Sequence, residues 1–331
     1  MKAVVLSDIH IGVHKDSEPW LSQTRSLFNN IADTCIRESI NTIIVAGDMF
    51  HERKFLNIQT MCRTMEIMLG LHQFRFLLLV GNHDTYYKHI VWPHSLFIFN
   101  ELPNVQIISE PTVIEDLLFL PWSTKPYSFS DYKEKIVVGH FEIDGFPATC
   151  SDNFVGGYKT KDFTQFDLVI SGHFHVPCRR TNILYCGSPF HLTASDRGSK
   201  CGYYILNGSD IHQIENPDYA RFIRITTEDK VTRELIEGNI VELLYTKDYG
   251  SLGNVRRMEY IQSLNPMRLT TNFTNVSICQ MDPQKQDQVE IITKSNRDIL
   301  KEYIDTIHVP KHIRKAVLNG IVDKLLKEIG T

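Results

Sequence analysis

The 331-residue sequence predicts an α/β fold in which two β-sheets pack face to face with helices outside them. In the N-terminal third, short apolar runs typical of buried strands alternate with segments of helical spacing. From about residue 105 to 206 the apolar runs follow one another with little helical spacing between them. This second pattern indicates a second sheet packed on the first, because a single doubly wound sheet would need a helix after each strand.

Strands and helices alternate through the N-terminal part of the chain. The apolar spacing predicts, in order, strand 3–7, helix 18–38, strand 42–46, helix 58–71 and strand 76–80. Ser17 precedes the first helix and Pro19 lies in its first turn, and both are typical of a helix N-terminus. This β-α-β-α-β order requires right-handed crossovers and therefore a largely parallel first sheet.

The next segment is rich in strands. Six apolar runs predict strands at 105–108, 117–121, 136–139, 167–171, 183–186 and 202–206. The character changes after about residue 217, so we predict a first domain of residues 1–217 and a small α+β domain of residues 218–281. The second domain would contain strands 222–227, 240–245 and 268–278 and a helix at 254–264.

The last part of the chain predicts a polar linker at 282–290 and a helical pair at 291–331. Ser295 and Asp298 have the spacing of a capping box, and Pro310 begins the second helix. Apolar residues four apart on a helix usually face the protein's own core. A polar linker separates this pair from the rest and both helices carry charges, so docking to a partner protein is the other interpretation.

Composition excludes several classes of protein. No run of 18 or more apolar residues occurs, so we expect no membrane span. The N-terminus lacks the apolar region and cleavage site of a signal peptide, and the seven cysteines are scattered without a CxxC pair. These features predict a cytoplasmic protein with reduced thiols. The net charge of −4 excludes a general basic field, so any nucleic acid would be bound by local patches or metal ions.

Polar side chains follow five of the predicted strands, where ligands of α/β proteins usually bind. They are Asp8, His10, Asp48, Asn82, His83, His140, His173 and His175. Carboxylates, imidazoles and an amide oxygen are ligands for divalent manganese, iron or zinc. Asp8 and His10, like His173 and His175, are two residues apart, so on an extended backbone both side chains would reach one cluster. Seven ligands are enough for two ions, with Asp48 as the bridge.

Two neighbouring divalent ions, about 3.5–4 Å apart, suit in-line displacement at phosphorus. His83 directly follows the ligand Asn82, so we expect its ring to point away from the ions. It would then be free to protonate a leaving oxygen, with Asp84 orienting the ring.

The order of these motifs resembles that of the calcineurin-like metallophosphoesterases. The resemblance rests on Asp8-Ile-His10, Gly47-Asp48, Gly81-Asn-His-Asp84, Gly139-His140 and Gly172-His-Phe-His175. Together with Tyr185-Cys-Gly-Ser-Pro189, they are similar to the SbcD-type nucleases, also called the meiotic-recombination-eleven family, which includes nuclease subunits of tailed phages. Beyond residue 217 the similarity is one of layout only.

The resemblance implies a four-layer α-β-β-α metallophosphoesterase sandwich that binds two Mn²⁺ ions, with Mg²⁺ as an alternative. Asp8, His10, Asp48 and His175 would hold one ion, and Asp48, Asn82, His140 and His173 the other. His83 would be the catalytic histidine, and His51 lies where some members carry a histidine near the phosphate. The implied activity is double-strand exonuclease and single-strand endonuclease cleavage of DNA in recombination, repair or degradation.

The resemblance also implies partners. Residues 218–281 would form a capping domain that shapes DNA access, and the C-terminal helices 291–331 would dock on an SbcC-type coiled-coil ATPase. A homodimer within a heterotetramer would form through residues near 60–100, although apolar residues there fit a core equally well. If the chain is phage-encoded, its compartment would be the host cytoplasm.

Two other functions are weighed against the nuclease. A phosphoprotein phosphatase or small-molecule phosphodiesterase would share the metal site, but such phosphatases usually carry Gly-Asn-His-Glu where this chain has Asp84. They also carry Val-Asp-Arg-Gly where this chain has Phe50-His-Glu-Arg53. A non-catalytic DNA-tethering scaffold would not need a complete ligand set. The basic pairs Arg53-Lys54, Arg179-Arg180 and Arg256-Arg257 suit phosphate contacts and solvent exposure equally well.

Overall fold

The computed structural model describes residues 1–246 and 250–273. The predicted linker 282–290, the helical pair 291–331 and the end of the last predicted strand lie outside the described residues. The elements are β1 (Lys2–Leu6), α1 (Val13–Asp16), α2 (Glu18–Glu38), β2 (Thr42–Val45), α3 (Ile58–Gly70), β3 (Arg75–Leu79), β4 (Thr85–Tyr87), β5 (Ile90–His94), β6 (Val105–Ile108), β7 (Thr112–Ile114), β8 (Leu117–Leu120), β9 (Ile136–His140), β10 (Leu168–Gly172), β11 (Cys178–Arg180), β12 (Ile183–Tyr185), β13 (Gly202–Asn207), β14 (Asp210–Glu215), β15 (Phe222–Thr226), α4 (Arg233–Ile236), β16 (Ile240–Tyr245), α5 (Gly250–Ser263) and β17 (Arg268–Phe273). Among the described helices, none is both long and apolar enough to cross a membrane.

Two six-stranded sheets form the centre of the molecule. The first has the order β14-β13-β1-β2-β3-β6, and the second has the order β11-β12-β10-β9-β8-β7. In the first, β1, β2, β3 and β6 are parallel, as the alternation of strands and helices predicted. In the second, β8, β9, β10 and β12 are parallel. The predicted fold class is therefore confirmed.

Alternate residues of the central strands face opposite sides of the first sheet, which explains their uniformly apolar sequences. On β1, Val4 and Leu6 pack in one core with the inner faces of α2 and α3. Ala3 and Val5 pack in another core, against β8, β9 and β10 of the second sheet. Each fully buried large apolar side chain contributes about 1.5–3 kcal/mol to this packing.

The outer face of the second sheet is covered differently from that of the first. Its core contains Phe129, Phe141, Phe163 and Tyr185, all buried. The segments that supply this cover are short 3₁₀ turns, such as Phe129–Asp131 and Thr160–Phe163, and loops. The fourth layer of the sandwich is thus built largely from aromatic side chains on irregular backbone within the described residues.

A third sheet follows the sandwich in the chain. Its strands β15, β16 and β17 are parallel and are connected through α4 and α5. Ile225, Ile236, Val241 and Ile261 are buried in a core of their own. These elements agree with those predicted after residue 217, whereas the boundary between residues 217 and 218 stays a prediction.

Candidate metal centre

The seven predicted ligand residues lie together where strands of both sheets end. Asp8 and His10 follow β1, Asp48 follows β2 and Asn82 follows β3. His140 ends β9, and His173 and His175 follow β10. The carboxyl ends of parallel strands share one edge of a sheet, and here the edges of two stacked sheets meet. The structure thus brings together residues from five separate stretches of the chain.

One ligand group contains Asp8, His10 and His175, whose candidate ligand atoms all lie within 4.8 Å of one another. The Nε2 atoms of His10 and His175 are 3.1 Å apart. Two ligands that bind one ion at roughly 2.1 Å and at about a right angle are about 3 Å apart. This pair of nitrogens therefore has the separation expected of two ligands of one ion.

A second group contains Asp48, His140 and His173, and Asn82 lies between the two histidines. The Asn82 Oδ1 atom is 2.8 Å from His140 Nε2 and 2.9 Å from His173 Nδ1. His140 Nδ1 lies 2.9 Å from the carbonyl oxygen of Ala46 and donates to it. When the His140 ring is neutral, its Nε2 atom therefore carries a lone pair that faces the Asn82 oxygen. Two acceptors that face each other in this way can both bind one cation.

The carboxylate of Asp48 lies between the two groups. Its Oδ2 atom is 3.7 Å from His10 Nε2 in the first group and 3.4 Å from His140 Nε2 in the second. Asp48 and Asp8 are both buried, and among the described residues neither has an ion pair with a lysine or an arginine. Buried carboxylates are costly without a positive partner, so this donor set fits divalent metal ions.

The backbone at the site is held in sparsely populated conformations. Asp8, His10, Asp48 and His173 all have positive φ angles, of 52°, 50°, 54° and 95°. Such angles are uncommon outside glycine and cluster at functional sites. They also correct a prediction: Asp8 and His10 reach one cluster, but not through the extended backbone that we expected.

Glycine lets two site loops approach closely. Gly47 has a φ of 98°, and a Cβ atom there would lie 2.2 Å from His140 Nδ1. At Gly81 a Cβ atom would lie 2.3 Å from the backbone nitrogen of Asp48. A side chain at either position would therefore push the loop that carries Asp48 away from its neighbours.

The pKa values of the two buried candidate carboxylates, Asp8 and Asp48, are shifted in opposite directions. Burial raises the pKa of Asp8 to about 7, although the charge of His140 opposes the shift. Burial also acts to raise the pKa of Asp48, but His140 and His10 outweigh it and hold that pKa below the ordinary carboxyl value. The carboxylate of Asp48, which lies between the two groups, is therefore the one that stays ionised most readily.

The pKa values of the candidate ligand histidines also differ from one another. Burial lowers the pKa of His10, His173 and His175, so these rings are neutral near pH 7 and have lone pairs for a metal ion. Burial acts in the same direction on His140, but the charge and hydrogen bond of Asp48 outweigh it and raise the pKa of His140 to about 9. His140 must therefore lose a proton to bind a metal ion.

The ring of His83 lies beside the ligands, and the prediction that it points away from them is wrong. Its centroid is 4.7 Å from that of His10, and His83, His10 and His51 form a third group of nitrogens within 4.8 Å. His83 Nδ1 donates to the carbonyl oxygen of His51 at 2.8 Å. This hydrogen bond leaves Nε2 of His83 as the nitrogen available for chemistry.

The prediction that Asp84 orients the ring of His83 is also wrong. The buried Asp84 carboxylate accepts hydrogen bonds from the backbone N–H groups of Gly81, Asp48, Met49 and Phe50, at 2.9–3.2 Å. Burial and the charge of Asp48 raise the pKa of Asp84 to about 7 against the effect of these donors. Asp84 therefore ties the loop after β3 to the loop after β2 and acts on the site through the backbone.

Two residues of the site were not predicted. Glu142 lies two residues after His140, and its Oε1 atom is 3.3 Å from Nε2 of His173. Trp122 follows β8, and its ring stacks on His173 with centroids 5.5 Å apart and planes 19° apart. The signal for both was their position shortly after a buried strand, β9 for Glu142 and β8 for Trp122.

Comparisons with known proteins agree with this geometry. A family model described as Calcineurin-like phosphoesterase matches residues 1–177. Exonuclease subunit 1 of Enterobacteria phage T4 is 26% identical over 332 residues, which cover 93% of this chain and 93% of that protein. The SbcD subunit of the SbcCD nuclease of Staphylococcus saprophyticus is 23% identical over 291 residues, which cover 75% of this chain and 74% of that protein.

A solved structure, the Pseudomonas putida nuclease MPE, is similar at 14% identity and a TM-score of 0.30. The similarity covers 64% of this chain and 87% of that one.

Proposed function

The chain belongs to the calcineurin-like phosphoesterase family, and from this premise we propose that it is a manganese-dependent DNA nuclease. Membership in the family makes it a metal-dependent hydrolase of phosphate esters. The observation that carries the proposal is the position of the Asp48 carboxylate between His10 and His140, at 3.7 and 3.4 Å. A carboxylate shared by two ligand groups suits a two-ion site, and such sites serve in-line displacement at phosphorus.

The residues divide between two ions as follows. One Mn²⁺ would be held by Asp8, His10, Asp48 and His175, and the other by Asp48, Asn82, His140 and His173, with Mg²⁺ as the alternative metal. Ions at these positions supply activation of water and neutralisation of the phosphate charge. The buried side chains contribute a fixed set of lone pairs, so no reorganisation of the protein is needed when the phosphate binds.

His83 is the proposed proton donor to the leaving oxygen. Its Nδ1–H is engaged by the carbonyl oxygen of His51, so the transferred proton would be carried on Nε2. Burial and the neighbouring His83 lower the pKa of His51, which keeps that ring neutral. His51 would donate a hydrogen bond to a phosphate oxygen. Asp84, which the sequence pattern placed beside His83 in catalysis, is assigned to positioning instead.

The proposed substrate is DNA, cleaved as a double-strand exonuclease and a single-strand endonuclease in recombination, repair or degradation. The relatives support this, since one is named an exonuclease subunit and the other a nuclease subunit. Their names also support a partner subunit. We assign that role to an SbcC-type coiled-coil ATPase bound through residues 291–331, with residues 218–281 shaping DNA access. The complex would work in the cytoplasm, that of the host if the chain is phage-encoded.

A homodimer within a heterotetramer is proposed through residues near 60–100. Exposed apolar side chains support it, because clusters of them mark interaction surfaces. They include Phe55, Ile58, Ile90, Trp92 and Phe97, each more than half exposed.

The nuclease proposal is tested by comparing two substrates in Mn²⁺. We expect linear duplex DNA to be hydrolysed faster than p-nitrophenyl phosphate by the wild-type protein. The His83→Ala variant should bind Mn²⁺ and DNA but lose cleavage by about 10²- to 10⁴-fold, the usual effect of removing a general acid. His212→Ala is the matched control, because His212 is exposed on β14.

Each contrary result has a distinct meaning. Preferred turnover of p-nitrophenyl phosphate would favour a phosphatase or small-molecule phosphodiesterase. DNA binding without any cleavage would favour a tethering scaffold. Unchanged cleavage by a folded His83→Ala protein would remove His83 from the mechanism.

A further inference from the structure

A cavity of about 500 Å³ opens beside the metal centre. It is lined by His140, which belongs to the second ligand group, and by Trp122, Tyr127, Glu142 and Tyr158. This volume is within the range of cavities that hold small organic ligands. A ligand in the cavity would therefore be a direct neighbour of a phosphate bound at the second ion.

The aromatic wall of the cavity is held in place by hydrogen bonds and stacking. Trp122 stacks on His173, with planes 19° apart. The hydroxyl of Tyr158 accepts from the backbone N–H of Tyr127 at 2.8 Å, and the hydroxyl of Tyr127 donates to the carbonyl oxygen of Pro121 at 2.9 Å. Aromatic rings fixed in this way form a preorganised surface for a flat ligand.

The charge of the lining selects against phosphate. Glu142 and Asp162 line the cavity, and the described lining residues include no lysine or arginine. Carboxylates repel a phosphate but accept hydrogen bonds from the amino and ring N–H groups of nucleobases. Aromatic rings stack on any base. The cavity therefore suits a base, and the metal centre beside it suits the phosphate.

Building on the nuclease function proposed for this site, we propose that the cavity binds the base of the nucleotide next to the scissile phosphate. The unstacked base would lie against the aromatic wall, with its amino or ring N–H groups directed to the carboxylates of the lining. Cleavage would then require a base that can leave its stack, as at frayed ends and in single strands.

Binding is tested first, without metal ions so that no cleavage occurs. The probe is 2-aminopurine deoxyribonucleoside monophosphate in EDTA, followed by its fluorescence, which stacking quenches. Thr124 lies on the exposed rim of the cavity, so Thr124→Trp should fill it without disturbing the fold. We expect saturable quenching by the wild type and the Thr124→Ser control, and binding about tenfold weaker for Thr124→Trp.

Cleavage is tested next, with single-stranded oligonucleotides that carry either a base or an abasic residue beside one phosphate. We expect kcat/KM at that phosphate to be about tenfold lower for the abasic strand, and the difference to shrink in Thr124→Trp. Equal quenching by Thr124→Trp and Thr124→Ser, or equal cleavage of both strands by the wild type, would overturn the cavity proposal. If saturable quenching occurs but neither strand is cleaved, the base site stands and the nuclease proposal fails.

Discussion

The buried carboxylate of Asp84 accepts a hydrogen bond of 3.0 Å from the backbone N–H of Asp48. The same carboxylate accepts from Met49 and Phe50, at 3.1 and 3.2 Å. Asp84 thus holds the loop that carries Asp48, through hydrogen bonds that its carboxyl oxygens accept. The position of Asp48 therefore depends on the side chain of Asp84, which bonds the backbone of this loop and not its candidate ligand atoms.

Replacing Asp84 by Asn should destabilise the protein by about 2–4 kcal/mol at pH 8. The amide offers one acceptor oxygen, and its NH₂ group faces backbone N–H donors, so buried donors lose their partner. Chemical denaturation measures the change, with Asp33→Asn, exposed on α2, as the control. An unchanged unfolding midpoint for Asp84→Asn would contradict the role assigned to these hydrogen bonds.

Replacing Asp48 by Asn should weaken the binding of both metal ions. The carboxylate lies between the two ligand groups, so its charge serves both. We expect losses of more than about a hundredfold in affinity, because removal even of an outer partner of a ligand costs about 10- to 100-fold. Isothermal titration with Mn²⁺ gives the number of sites and their affinities, and Asp33→Asn is again the control variant. Loss of one ion with full retention of the other would exclude Asp48 as a bridge.

Replacing Glu142 by Gln should weaken the binding of one metal ion and leave the binding of the other unchanged. Glu142 accepts from Nε2–H of His173 at 3.3 Å, which leaves Nδ1 of His173 as the ligand atom. We expect the affinity of the ion in the second group to fall about 10- to 100-fold. Glu110→Gln is the control, because Glu110 is exposed and far along the chain from His173. An equal loss of metal affinity at both ligand groups would indicate that the substitution disturbs the whole site and does not act through the contact between Glu142 and His173.

Metal affinity should rise with pH between about 6 and 9. In the metal-free protein the pKa of Asp8 is raised to about 7 by burial. That of His140 is raised to about 9, because Asp48 outweighs burial. Both groups must lose a proton to bind an ion, so protons compete with the metal at low pH and the competition ends as pH rises. Mn²⁺ titrations in buffers of different ionisation enthalpy count the protons released. Affinity that is constant over this range would show that neither group is a ligand.

Deletion of residues 291–331 should abolish association with the proposed ATPase partner and leave metal-dependent hydrolysis by the remaining chain. These residues are separated from the rest by the polar stretch 282–290. Co-purification of the tagged chain with the partner measures the effect, with the full-length chain as the reference. A truncated protein that still co-purifies would move the docking surface elsewhere.

Much of the fold followed from local sequence patterns. Uniformly apolar runs such as 76–80 identified strands that are covered on both faces, and Ser17 with Pro19 identified the start of α2. Strand ends marked the ligand residues because the carboxyl edge of a sheet is where loops leave a buried core. These signals are local: burial of a strand and the cap of a helix each depend on a few neighbouring residues.

What the sequence by itself determined was twelve of the seventeen described strands, the parallel order of the first sheet, and the candidates Asp8 to His175 for the metal centre. The strands β4, β5, β7, β11 and β14 were not predicted. Tertiary structure alone decided that Asp84 holds the loop of Asp48, that His83 is fixed by the carbonyl of His51, and that Glu142 and Trp122 contact His173. Each of these contacts joins residues that are about 30 to 50 positions apart in the chain. Their geometry depends on how two sheets stack and on backbone angles at Asp8 and Asp48 that local propensity disfavours, so no local pattern could specify them.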